Sequence, residues 1–393
     1  MKRRLPAVRA ARVTRAVREA PPASAPLPTP EDFMRHALAL AARGKCTTHP
    51  NPRVGCVIVR DGQIVGEGWH EWAGGPHAEV VALDEAGELA RGADVYVTLE
   101  PCCHTGKTGP CTDVLMDAGV GRVIAAMEDP NPLVAGKGFA KLERAGIAVD
   151  VGLLEDEARA LNRGFVSRMA RGRPWVTLKL AHSLDGRSAM ASGESKWITG
   201  PAARADVHRL RAEAGAVLTG VNTVLADNPQ LTARELPPEA GEARQPDRIV
   251  LDTHLRTPPT AKVFGTGARR VLFSVRPRAD QMETLQQRGV EVVLAGRSAD
   301  GHVALDSVVK LLGRMDVNEV LVECGPTLTG AWLRSGLVDE VVSYVSPSFL
   351  GHEAKAAALL PNLTKLDQRV KLRFTEVVLV GDDLRISAVP EAR

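Results

Sequence analysis

Aromatic residues are scarce in this chain: five Trp, two Tyr and seven Phe among 393 residues, 4% in all. A base-stacking platform needs many aromatics on one surface, so none runs through this sequence. Charge of one sign is equally lacking. The formal net charge is only +3, too little for an overall field that would gather nucleic acid. No stretch approaches 18 uninterrupted apolar residues, which excludes a helical membrane span. Cysteine is sparse too, with six residues at 46, 56, 102, 103, 111 and 324. With no apolar export leader, a disulfide framework is not expected. What is present is ordinary for a folded protein: 44% apolar and 25% charged residues, in a length that suits two domains or three.

The first 30 residues stand apart. Lys2, Arg3, Arg4, Arg9, Arg12, Arg15 and Arg18 face Glu19 alone, and an Ala/Pro-rich run follows from Ala20 to Pro26. Such a composition cannot bury a core. Residues 1–30 therefore read as a disordered basic, Pro-rich extension, with a transit peptide or a nucleic-acid arm as the alternatives.

Folding signals begin at Thr29-Pro30-Glu31-Asp32, an N-cap, a proline suited to the first helical position and two acids in the first turn. Phe33, Met34, Ala37, Leu38 and Ala41 then form a helical stripe. Val54–Val59, an Asp61-Gly62 turn and Ile64–Trp69 predict a hairpin. A helix from His77 is followed by a strand Asp94–Leu99 that Pro101-Cys102 stops. Helical and strand patterns then alternate at Val114–Ala118, Val123–Met127, Gly138–Arg144 and Ile147–Val151. The pattern predicts an α/β sandwich around a mostly parallel sheet.

Within it lie His77-x-Glu79, Cys102 and Cys111. One imidazole and two thiolates make three ligands for a tetrahedral Zn²⁺ with a fourth position open to water, whose pKa zinc lowers to about 7. Glu79, two residues from the histidine, suits the transfer of a proton from that water to a leaving amine, as hydrolytic deamination of a ring carbon requires. Cys103, His104 and His70 stay open as alternative ligands, and a structural zinc is the bland alternative.

The segment Leu99-Glu100-Pro101-Cys102-Cys103-His104-Thr105-Gly106-Lys107-Thr108-Gly109-Pro110-Cys111 resembles the deaminase half of the bifunctional riboflavin-biosynthesis deaminase–reductases. So do Asn51-Pro52-x-Val54-Gly55, His77-Ala78-Glu79 and the run Asp129–Gly138. The resemblance implies a cytidine-deaminase-like α/β/α domain over 31–171, with Asn51, His104, Lys107, Asp129 and Asn131 lining the substrate pocket. Cys103 stands where that family usually has serine, and Gly109 where it has proline.

A charged helical connector, Leu153–Arg171, leads to a second pattern. Strands are expected at Trp175–Ala181, Val217–Gly220, Arg248–Asp252, Arg270–Ser274, Val290–Leu294 and Glu319–Glu323. Helices are expected at Ala202–Ala214 and Leu305–Met315, and a loop at Asn222–Pro229. Glu319–Glu323 runs into Gly325-Pro326 and a helix start, a junction that aims backbone N–H groups at an anion, although it is not a Gly-x-Gly-x-x-Gly fingerprint.

Lys179-Leu180-Ala181-x-Ser183-Leu184-Asp185-Gly186 through Trp197-Ile198-Thr199 resembles the reductase half of the same family, as do Thr223–Thr232 and Glu323-x-Gly325-Pro326-Thr327-Leu328. The resemblance implies a dihydrofolate-reductase-like α/β domain over 172–393. It further implies NADPH contacts at Ala181, Trp197, Thr223, Asp227, Thr253 and the segment Gly325, Pro326, Thr327, Leu328, Thr329, Gly330 and Ala331. Substrate contacts are implied at Ser195, Arg211, Leu231, Arg234 and Glu323. A guanidinium fork at Arg211 or Arg234 suits a ribose phosphate, and Lys179 and Asp227 are the candidates for a proton donor. The expected protein is thus a cytoplasmic homo-oligomer that uses Zn²⁺ and NADPH. It acts on a small phosphoribosyl pyrimidine, without nucleic-acid or membrane partners.

Overall fold

The computed structural model describes residues 28–103, 109–132, 134–236 and 243–391. His104 and Lys107, and all of the N-terminal extension before residue 28, lie outside them. The first helix, α1 (Pro30–Ala42), starts as its sequence dictates: Thr29 and Asp32 close a capping box and Pro30 opens the helix. Its buried stripe is Phe33, Met34, Ala37, Leu40 and Ala41. Leu40 takes the place expected for Leu38, which is half-buried.

The hairpin β1 (Gly55–Arg60) and β2 (Gln63–Trp69) turns at Asp61 and Gly62, both at positive φ. Then come α2 (Ala78–Ala86), β3 (Asp94–Val97), α3 (Cys111–Ala118), β4 (Arg122–Ala125), α4 (Lys137–Arg144) and β5 (Ala148–Val151). The sheet order is β2-β1-β3-β4-β5. This corrects the expectation of a mostly parallel sheet. β1 pairs antiparallel with both β2 and β3, and only the β3–β4 and β4–β5 pairs are parallel. A two-residue turn can join only antiparallel neighbours, so the hairpin read from Asp61-Gly62 already required a mixed sheet. Alternate residues face opposite layers. Ile58, Val95 and Val123 meet Ala82, Leu115 and Leu142 on one face. Val57, Tyr96 and Ile124 meet Met34, Ala158 and Phe165 on the other.

The connector is two helices, α5 (Glu155–Leu161) and α6 (Arg163–Arg171), broken at Asn162. The second unit follows with β6 (Trp175–Ser183), β7 (Arg187–Ala189), α7 (Pro201–Glu213), β8 (Ala216–Gly220), α8 (Val221–Asp227), β9 (Asp247–Leu251), β10 (Arg270–Ser274), α9 (Ala279–Gln287), β11 (Glu291–Leu294), α10 (Leu305–Arg314), β12 (Glu319–Glu323), α11 (Pro326–Ser335), β13 (Glu340–Ser346), β14 (Lys355–Ala356), β15 (Leu372–Val380) and β16 (Asp383–Pro390). The loop expected at 222–229 is helical through Asp227, because Val221 and Val224 are buried one turn apart and Val224 packs with Val217 and Val250 of the sheet. Nine strands run β11-β10-β9-β8-β12-β6-β13-β16-β15. The pairs from β11 to β13 are parallel, and the β16–β15 end is antiparallel. Among the described residues no helix is long and apolar enough to cross a membrane.

Candidate functional sites

Two helix starts converge in the first unit. His77 is the N-cap of α2, extended at φ −76° and ψ 158°, and its ring makes no capping bond. It turns instead toward the first residue of α3. Its Nδ1 lies 3.0 Å from Cys111 Sγ and 3.5 Å from Cys102 Sγ. The three ligand atoms all lie within 4.8 Å of one another. Zinc bonds of about 2.1 Å to nitrogen and 2.3 Å to sulfur put tetrahedral neighbours about 3.5 Å apart, so this donor set fits the ion with one position left over. Both helices point their positive ends at the sulfurs, which favours thiolates. Cys111 N–H also donates to Cys102 Sγ at 3.3 Å.

The electrostatics describe two sulfurs competing for a proton. The bond from Cys111 is the main reason the Cys102 thiol falls to about 4, and the same bond, with burial, pushes Cys111 up. Glu79 sits in the first turn of α2, buried at 3% exposure. Burial first, and then the Cys102 thiolate, raise its carboxyl above the usual range. A buried carboxyl with a raised pKa is suited to carry a proton. Of the alternative ligands, His70 is engaged elsewhere. Its Nδ1 lies 2.8 Å from Pro76 O and its Nε2 3.0 Å from Asn51 Nδ2. Cys103 is half-buried and stands outside the three-ligand group.

The described residues expected to meet substrate in the first unit sit close to the His77–Cys102–Cys111 group in the network of hydrogen bonds. Asn51 reaches His77 through His70, whose ring meets that of His77 edge-on at 5.6 Å. Asp129 and Asn131 are held by Glu100, which sequence reasoning passed over as part of a motif. Its buried carboxylate accepts the backbone N–H groups of Asp129, Gly136 and Gly138 at 3.1, 3.0 and 2.8 Å. Asp129 Oδ1 in turn accepts from Asn131 N–H at 2.8 Å.

In the second unit a cleft of about 1810 Å³ opens along the C-terminal ends of the parallel strands. Ala181, Trp197, Thr223, Asp227, Thr253, Gly325, Pro326, Thr327, Leu328 and Ala331 line it, with Ser195, Arg211, Leu231, Arg234 and Glu323. Two residues of the expected set stand behind this wall. Thr329 is fully buried and donates its hydroxyl to Cys324 O at 3.3 Å. Gly330 is pressed against the backbone of Leu359, where a Cβ would come within 1.8 Å of the carbonyl oxygen. Arg211 does not offer a free fork either. Its Nε and Nη2 grip Glu323 at 2.5 and 2.9 Å, and Lys179 Nζ lies 3.6 Å from the same carboxylate. Burial pushes Glu323 up, but Arg211 and Lys179 outweigh it and hold the group at about 2. Gly325 N–H donates to Thr223 Oγ1 at 3.1 Å, fixing the start of α11. A long cleft that takes in the N-terminus of α11 and basic side chains such as Arg204, Arg256 and Lys262 fits an extended dinucleotide.

Residues 28–127 match the family of the cytidine and deoxycytidylate deaminase zinc-binding region, and residues 174–386 match the RibD C-terminal domain. The chain is 49% identical over 367 residues to the riboflavin biosynthesis protein RibD of Escherichia coli (strain K12), covering 91% of this chain and 99% of that protein. The chain belongs to the RibD family. The RibD of Aquifex aeolicus is 44% identical over 357 residues, covering 91% and 97% of the two chains. Among solved structures, Acinetobacter baumannii RibD superposes with a TM-score of 0.86 at 44% identity, over 92% of this chain and 99% of that one. The Thermotoga maritima diaminohydroxyphosphoribosylaminopyrimidine deaminase/5-amino-6-(5-phosphoribosylamino)uracil reductase gives 0.79 at 35%, over 92% and 98%. A RibD chain joins a zinc-binding deaminase domain to a reductase domain, and its cofactors are Zn²⁺ and NADPH.

Proposed function

We propose that His77, Cys102 and Cys111 hold the zinc and that Glu79 moves the protons in a hydrolytic deamination. The substrate is 2,5-diamino-6-(5-phosphoribosylamino)pyrimidin-4-one and the product 5-amino-6-(5-phosphoribosylamino)uracil. Bound zinc supplies the Lewis-acid chemistry that makes water a nucleophile at neutral pH. Water oxygen bonds to the amino-bearing ring carbon, the carbon–nitrogen bond breaks, and ammonia leaves. Glu79 takes the proton from water and returns it to the departing nitrogen. Asn51, His104, Lys107, Asp129 and Asn131 orient the ring and its phosphoribosyl arm. Glu79 carries this reading, because no structural zinc needs an enclosed carboxyl beside its ligands.

In the second cleft the deaminated product is reduced to 5-amino-6-(5-phosphoribitylamino)uracil. NADPH supplies the hydride, which goes to C1′ of the ring-opened sugar in its imine form. By this reading Ala181, Trp197, Thr223, Asp227, Thr253, Gly325–Leu328 and Ala331 hold the dinucleotide, with Thr329 and Gly330 packing behind it. Ser195, Leu231 and Glu323 face the substrate. Arg234 takes the phosphate, since Arg211 is committed to Glu323. Lys179 is the proton source: it lines the cleft beside Glu323, 3.6 Å away, and burial lowers its ammonium pKa.

The unit boundary falls after Arg171. A homo-oligomer is supported by β15, the last strand of the large sheet, whose outer edge has no neighbour among the described residues. We place the protein in the cytoplasm, where two ligand thiols stay reduced. A coupled assay tests the whole reading. Ammonia must appear with NADPH omitted, and NADPH absorbance must fall only once deaminated product is present. Ammonia release without any NADPH consumption would leave the deaminase alone.

A further inference from the structure

The loop that carries Asn51 is seated between the second unit and the connector helices of its own unit. His49 lies in the space left by the missing side chain of Gly215, where a Cβ would come within 2.3 Å of its Cε1. Asn318 Nδ2 donates to Pro50 O at 2.8 Å, while Arg168 Nε grips the same amide through Oδ1 at 2.6 Å. Arg53 has the most partners. Its Nη2 donates to Glu213 O at 3.2 Å and pairs with Glu319 Oε1 at 3.0 Å, and its Nη1 donates to Leu161 O at 2.7 Å. Its backbone exchanges two hydrogen bonds with the Asn162 side chain, at 2.8 and 2.9 Å. Between these anchors Asn51 faces the first unit, its amide 3.0 Å from His70.

The acid in this junction is costly. Glu319 is 9% exposed and sits between two guanidiniums, with its second oxygen 3.2 Å from Arg163 Nε. Enclosed ion pairs repay little of their desolvation as net stability, so what this one provides is placement. Four guanidinium contacts on a planar fork, the fourth to Lys45 O at 3.4 Å, fix Arg53, and so the backbone two residues from Asn51, more tightly than a single ammonium contact would. Residues 49–53 lie outside the helices and strands of the first unit, whose Leu161 and Asn162 hold Arg53 alongside Glu319 and Glu213 of the second unit.

We infer that Arg53 and Glu319 are positioning residues for the deamination: strand β12 of the reductase unit braces the Asn51 loop, and the pyrimidine site of the first unit is completed by the second. This rests on the reading of Asn51 as a pyrimidine contact. The test uses the full-length, zinc-loaded protein with Glu319→Gln and, separately, Gly215→Ala, which displaces His49 without touching a charge. Each variant raises the KM for the diaminopyrimidinone about tenfold, the worth of roughly one hydrogen bond, with kcat within about twofold. Zinc content and reduction of supplied deaminated substrate stay at the parent level. Arg53→Lys, which keeps the charge and loses the fork, falls between parent and Glu319→Gln.

A parallel fall of both activities with the thermal midpoint would make the junction merely structural and overturn the inference. Unchanged KM in both brace variants, with KM raised by Asn51→Ala, would also overturn it while leaving the Asn51 reading intact. An Asn51→Ala protein with parent KM would remove that reading, and the inference with it.

Discussion

The carboxyl of Glu79 and the thiols of Cys102 and Cys111 share one small volume, and each has a separable job. Glu79→Gln keeps the side chain's volume and removes its proton chemistry. We expect bound zinc and reductase activity at parent levels, with ammonia release down by about 10²- to 10⁴-fold. Elemental analysis and the coupled assay check this. Cys111→Ser loses zinc, whereas Cys103→Ser keeps it, because Cys103 stands outside the ligand group; metal content per chain decides between them. That His77, Cys102 and Cys111 come together was legible in the sequence because metal chemistry restricts residue type and spacing. Glu100 was not. Its three partners are backbone N–H groups 29 to 38 residues further on, and nothing local marks a carboxylate destined for them. Thr329, buried, and Gly330, pressed on Leu359, show that a motif names a stretch of chain and not the side of it that a side chain occupies.

Regular elements were read well wherever their burial has one period. The stripe of α1 and the hairpin at Asp61-Gly62 are examples, because a cap or a turn type is written in adjacent residues. α8 was missed because its Asn and Asp mimic a loop, while Val221 and Val224 are buried and Val224 packs on the sheet. β15 has a different character. A bulge between Phe374 and Glu376 adds one residue, and Leu372, Phe374, Val377 and Leu379 then pair with Pro390, Ala388, Ile386 and Leu384. The extra residue keeps all four on one face, and they are 37%, 64%, 53% and 75% exposed. An apolar face on an edge strand seeks a partner. Leu379→Asp is therefore expected to shift the protein toward single chains in light scattering. An unchanged mass would remove β15 from the interface.

At the scale of the molecule, acids held low by cations tie stability to pH. Glu323 is held at about 2 against an ordinary 4.5, and Arg53 and Arg163 overcome burial to lower Glu319 as well. A carboxyl depressed in the folded state contributes its stability above its unfolded value and loses it as pH falls toward the folded one. The thermal midpoint should thus hold above about pH 4.5 and fall between there and about pH 2. The Glu323→Gln protein should show a shallower fall, the group's share being at most about 3 kcal/mol. Equal slopes would show that Arg211 and Lys179 do not hold that charge. None of this junction was visible beforehand, for Arg53 and Glu319 are 266 positions apart in the sequence and only folding makes them neighbours.

Severing the chain between Arg171 and Trp175 would give two polypeptides, each with half a shell of buried charge. Arg53 and Arg163 would lose this acid, and Glu319 both of its cations. Ammonia release would then depend on how much of each piece is present, falling on dilution as the pair dissociates by mass action. In the unbroken chain the partner is always at hand, and the first reaction keeps its rate however few molecules there are.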